Sequence, residues 1–157
     1  MAIIVQKYGG SSVADADKIK NVARRVAATK EQGNDVVVVV SAMGKTTDNL
    51  IALANEITDQ PSDREMDVLL STGELVSSTI MAMALREMGH PAISLSGAQA
   101  GIRTSTKYSR AQILSVDAER IEKEFTKGHI VIVAGFQGIT QNMDITTLGR
   151  GGSDTTA

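Results

Sequence analysis

The sequence contains no cysteine and no tryptophan, and only two histidines, two prolines, two tyrosines and two phenylalanines in 157 residues. Without cysteine, a disulfide scaffold and a thiolate zinc site are excluded, and a cytoplasmic, reducing location fits. So few aromatic rings do not make a base-stacking surface. The formal net charge of −2 adds no basic footprint, so no nucleic-acid partner is expected. No apolar run approaches the ~20 residues of a bilayer span, so no membrane partner is expected. The apolar start, residues 3–5, is too short for a secretion signal and has no basic lead. His90 and His129 lie far apart and read as structural; neither a Ser-His-Asp set nor a metal-ligand cluster is present, and no metal site is expected.

What is there suits a globular domain with a real core: 42% hydrophobic and 22% charged residues. Short apolar runs at 3–6, 36–40, 92–95 and 129–133 read as strands, with a further short strand at 113–116. The five consecutive valines at 36–40 predict a strand buried on both faces, as in the middle of a parallel sheet. Between them, helical periodicity predicts helices from about Asp15 to Gln32, 47–58, 63–88 and 118–126. A hairpin is expected over 139–148, turning at 141–143. Strands alternating with helices predict an α/β domain with a largely parallel sheet. No repeat, low-complexity tract or linker interrupts it.

Four loops follow apolar strands, and ligands of open α/β sheets bind at that edge. The first, Lys7-Tyr8-Gly9-Gly10-Ser11-Ser12, offers a point charge, close-approaching amides and hydroxyls to a phosphate, although a plain strand-to-helix turn would use the same residues. It lacks the Walker A spacing. Ser41, Lys45 and Thr47 occupy the loop after the valine strand and are candidate polar contacts. Near the end, Gly149-Arg150-Gly151-Gly152-Ser153-Asp154 presents an arginine suited to a carboxylate or phosphate, and Ser153-Asp154 reads as a helix cap with its helix missing; a flexible glycine-rich tail is the other reading. Glu74 lies within a mostly apolar helix, and on residue type alone it reads as a surface group rather than a buried one with a cationic partner.

Taken in order, KYGGSS at 7–12, SAMGKTTD at 41–48, LSTGE at 70–74, AGFQG at 134–138 and TTLGRGGSDTTA at 146–157 resemble the aspartate kinases of the wider amino acid kinase family. The resemblance spans the whole chain. Tyr8 and Ser12 depart mildly from the more frequent KFGGTS form of the first motif. It implies a three-layer α/β/α sandwich around a mainly parallel sheet, incomplete in this chain. It also implies transfer of the ATP γ-phosphate, carried with Mg²⁺, to the β-carboxylate of L-aspartate, the step that opens lysine, threonine, methionine and isoleucine biosynthesis.

The resemblance further implies roles. Lys7 stabilises the transferring phosphoryl group, with Gly9, Gly10 and Ser11 around the ATP phosphates. Glu74 takes the substrate ammonium, and Arg150 a carboxylate. Ser41, Thr47 and Ser153 add hydrogen bonds, while Asp154 orients Lys7. A carboxylate nucleophile, with a reference pKa near ~3.9, needs no general base. Holding two anions together is then a matter of positioning and charge neutralisation. The family's nucleotide-holding portion and its ACT-type regulatory region have no counterpart in these 157 residues, so the chain is expected to be the amino-terminal portion of the catalytic domain, inactive or very weak alone, and to work as a homo-oligomer or in assembly with a regulatory region. Two alternatives remain open: another amino acid kinase, and a non-catalytic substrate-binding or interaction fragment. A Rossmann dehydrogenase lacks its G-x-G-x-x-G.

Overall fold

The structure, a computed structural model, describes residues 2–149 and 151–157. Strand β1 (Ile3–Tyr8) enters a 3₁₀ turn (Gly10–Val13) and then helix α1 (Ala16–Glu31). Asp15 caps that helix by accepting from the Lys18 amide at 2.9 Å, and Ile19, Val22, Ala23, Val26 and Ala27 bury its inner face. Strand β2 (Asp35–Val40) is followed by α2 (Thr46–Ile57), the 25-residue α3 (Asp63–Glu87) and β3 (Ala92–Leu95). Then come β4 (Ile102–Thr104), β5 (Ile113–Val116), α4 (Glu119–Thr126), β6 (Ile130–Ala134), β7 (Gln137–Ile139), β8 (Ile145–Thr147) and the short α5 (Gly152–Thr156).

β1, β2, β6 and β3 form, in that order, an all-parallel sheet. All five valines of β2 are buried, as a central parallel strand requires. One face carries Val36, Val38, Val40, Ile130 and Ile132 against α1 and α3. The other carries Val37, Val39, Val131 and Val133 against Ala100, Ile102, Ile113 and, on α4, Ile121 and Phe125. Helices thus lie on both sides of the sheet, giving the three layers expected. Each fully buried valine or isoleucine contributes about 1.5–3 kcal/mol relative to exposure. At the β1 edge the second face is bare: Ile3 and Val5 are 63% and 47% exposed.

A second sheet, in the order β5-β4-β7-β8, was not anticipated. It is largely antiparallel, with β7 and β8 forming the expected hairpin and β4 pairing in parallel with β7. Strand β4 was missed because it has only three residues, too few to show a period.

Helix α3 also departs from expectation. It is long and apolar enough to span a bilayer, yet half of its apolar window is buried within the protein. Its inner face carries a polar stripe at helical spacing, Asp67, Ser71, Glu74, Ser77 and Ser78, all buried beside apolar Leu70, Met81, Ala82 and Leu85. Most of these side chains or their backbone tie α3 to neighbouring elements. Arg64 begins the row by donating to Asp144 at 2.7 Å, Asp67 holds Thr147, the Ser71 carbonyl accepts from Gln137 Nε2 at 3.0 Å, and Ser77 Oγ donates to the Ser41 carbonyl at 2.7 Å.

Candidate active site

Loops at the carboxyl ends of β1, β2 and β6 meet the final segment of the chain around a cleft of about 310 Å³. Its walls are Lys7, Gly10, Ser41, Ala42, Gly44, Thr47, Glu74 and Phe136, closed by Gly149, Gly151, Gly152, Ser153 and Asp154. The fourth strand-end loop, after β3, does not join them. It turns into β4, with the Gly97 amide donating to Gln137 Oε1.

The loops approach one another more closely than side chains would allow. The Gly44 amide donates to the Gly10 carbonyl at 3.0 Å, and a Cβ on Gly10 would lie 2.9 Å from the Ala42 carbonyl oxygen. On α3, a Cβ on Gly73 would lie 2.9 Å from that of Ala42. Glycine at position 73 therefore lets the helix press against the loop after β2, and this contact delivers the next residue, Glu74, into the cleft.

Glu74 is 3% exposed, so the surface placement read from its residue type is wrong: it lies buried in the cleft wall. The misreading came from treating the helix as apolar apart from isolated polar residues, when five of its polar residues form one inward stripe. Burial pushes the Glu74 carboxyl up to about 7, against an opposing pull from its own amide and that of Ala42. Its Oε2 is the one buried side-chain polar atom without a hydrogen-bond partner among the described residues. An unpartnered acceptor in a cleft wall is a site for a donor from outside the chain, best a cationic one.

In the same cleft, Lys7 Nζ lies 2.8 Å from Asp154 Oδ1, which joins β1 to α5. The Lys7 ammonium sits over Gly9, within 3.7 Å of where a Cβ would be. Ser41 Oγ donates to Ser153 Oγ at 2.8 Å, a second tie between the β2 loop and α5. Ser153 and Asp154 lie within the first turns of a real though short helix whose N-cap is Gly151, which corrects their reading as a cap without a helix.

Lys7, Gly10, Ser41, Thr47, Glu74, Ser153 and Asp154 are thus brought together. Gly9 lies beneath the lysine. Ser11 stands exposed in the 3₁₀ turn, outside the cleft wall. Arg150 lies outside the described residues. Sequence reasoning did not single out Phe136. It holds a left-handed backbone, φ 73°, rare for a large side chain, and this was not legible from its position between two glycines.

A sequence profile of the amino acid kinase family matches residues 2–157. An aspartokinase of Geobacillus stearothermophilus is 59% identical over 157 residues, all of this chain and 39% of that protein. The crystal structure of aspartate kinase from Synechocystis superposes with a TM-score of 0.85 at 48% identity, covering all of this chain and 25% of that one. Aspartokinase III of E. coli, in complex with aspartate and ADP, superposes with a TM-score of 0.86 at 27% identity, over all of this chain and 45% of that one. The chain spans 38% to 39% of the length of the first curated relatives it matches.

Proposed function

Because the chain belongs to the amino acid kinase family, we propose that it is the amino-terminal, substrate-holding portion of an aspartate kinase catalytic domain. The observation that carries this reading is Glu74 Oε2, a buried carboxylate oxygen with no partner among the described residues, in the same cleft as the Lys7–Asp154 pair. An α-ammonium satisfies that oxygen and returns the carboxyl to its charged form. A substrate so anchored extends its side-chain carboxylate toward Lys7. Ser41, Thr47 and Ser153 add hydrogen bonds, and Arg150 is assigned the α-carboxylate.

The reaction is attack of the β-carboxylate oxygen on the γ-phosphorus of ATP, breaking the γ-phosphorus–oxygen bond to ADP and giving 4-phospho-L-aspartate. The attacking oxygen carries no proton at neutral pH, so no base is needed. Lys7 screens the repulsion between the two anions, with the amides of Gly9 and Gly10 beside the phosphates and Ser11 at their outer edge. Asp154 holds the ammonium in place. Mg²⁺ arrives with ATP as substrate and is held by phosphate oxygens; no group of three acidic or histidine side chains suited to a metal occurs among the described residues.

On this reading the protein opens the route to lysine, threonine and methionine in the cytoplasm. It acts as a homo-oligomer or with an ACT-type regulatory region, and the 157 residues alone turn over poorly. The test is ATP-dependent formation of aspartyl hydroxamate in the presence of hydroxylamine, by the protein at its native length. Hydroxamate from L-aspartate and little from L-glutamate is expected. Reversed preference, or none formed from either, overturns the assignment.

A further inference from the structure

A second carboxylate on α3, Asp67, is fully buried and has no salt-bridge partner among the described residues. The aspartate instead accepts four hydrogen bonds. The Ser109 amide reaches Oδ1 and Oδ2 at 3.0 and 2.9 Å, the Thr147 amide reaches Oδ2 at 3.0 Å, and the Thr147 hydroxyl reaches Oδ1 at 2.9 Å. A buried carboxylate whose two oxygens are met by donors at 2.9–3.0 Å is a rigid anchor, since losing one donor leaves a buried lone pair unmet.

The two segments so anchored lead into the cleft. Thr147 ends β8, and two residues later the chain reaches Gly149 in the cleft wall. Ser109 holds a left-handed backbone, φ 68°, in the loop that packs on Gly149: its carbonyl oxygen lies 3.3 Å from where a Gly149 Cβ would stand. The Ala111 amide donates to the Thr147 carbonyl at 2.9 Å, so loop and strand are also tied to each other. Asp67 precedes Glu74 by seven residues, two turns or about 10 Å along the same helix.

We propose that Asp67 is a positioning residue for aspartate. Through Thr147 and Ser109 it fixes the Gly149 side of the cleft at a set distance from Glu74, so that a single helix gauges the span between the substrate's ammonium and its carboxylates. This rests on the aspartate kinase reading. Asp67 touches neither substrate nor nucleotide, and its effect falls on the amino acid alone.

The experiment compares Asp67→Asn, Thr147→Val and Thr147→Ser in the protein at its native length by hydroxamate kinetics. Asp67→Asn sets an amide donor against backbone donors. It is expected to raise KM for aspartate about tenfold, with KM for ATP within twofold and kcat within threefold. Thr147→Val, which removes only the hydroxyl donor, should raise KM for aspartate about threefold, and Thr147→Ser should restore it. Should Asp67→Asn fail to fold, the Thr147 pair decides. Parallel rises in both KM values, or a lowered melting temperature with unchanged KM for aspartate, overturn the proposal. If the wild type forms no hydroxamate, the kinase reading fails and this inference falls with it.

Discussion

Lys7 and Asp154, 147 positions apart in sequence, meet at 2.8 Å in the cleft wall. The aspartate side chain is 71% exposed, so the pair contributes at most about 1 kcal/mol to stability. Its significance is directional: the ammonium is held over Gly9 at the cleft wall.

Replacing Lys7 by Met should therefore leave the melting temperature nearly unchanged and lower kcat by about 10² to 10³, the range for removing one preorganised charge stabiliser. Asp154→Asn keeps the shape of the partner and should cost less, about tenfold. Steady-state kinetics beside thermal melts distinguish the two effects.

Glu74 supplies a pH prediction. Its folded carboxyl sits near 7, above its ordinary 4.5. A group raised in the folded state contributes fully below the unfolded value, and that contribution is lost as pH rises through the folded one. Stability without ligand should thus fall between about pH 4.5 and 7, by up to roughly 3 kcal/mol. Urea titrations across that range should show the slope in wild type and lose it in Glu74→Gln. Aspartate affinity should move the other way, rising through pH 7 as Glu74 ionises, and calorimetry in matched buffers reads this directly.

Two glycine substitutions test the contact that seats Glu74. Alanine in the middle of a helix ordinarily stabilises by about 1 kcal/mol over glycine. At position 73 the added methyl would meet Ala42 Cβ at 2.9 Å, and overpacking of this kind costs about 1–3 kcal/mol. Net destabilisation is expected for Gly73→Ala, with a raised KM for aspartate. Gly10→Ala strikes the Ala42 carbonyl rather than a side chain, and should be the worse of the two in urea denaturation.

The hydroxyl pair Ser41 and Ser153 should be coupled. A double-mutant cycle with both alanine variants is expected to return about 0.5–1.5 kcal/mol, the worth of one partly buried hydrogen bond. Additive effects would show that their contact is incidental.

The main sheet was legible because valine runs and helical periodicity leave little choice: 36–40 has no exposed face, and α1 buries the five residues its spacing marks. The cleft was legible one loop at a time, since glycine pairs and lone cations after strands are local signals. What sequence could not show were pairings across long separations. Nothing near Asp67 announces that Thr147 will satisfy it, and nothing near Phe136 indicates its backbone hand. Glu74 was ambiguous for the same reason. A carboxylate among apolar neighbours reads as exposed until the rest of the stripe, from Asp67 to Ser78, is seen to point one way.

The bare corner beside β1 governs how these 157 residues behave as a solute. Ile3, Val5 and Val116 line a shallow apolar trough along the open rim of the parallel sheet, and the rim itself offers unpaired amides and carbonyls. Purified by itself, the chain should show a negative second virial coefficient and light scattering that climbs with concentration. Lysine introduced at Ile3 or Val5 should reverse both without disturbing the cleft at the far end of the strands.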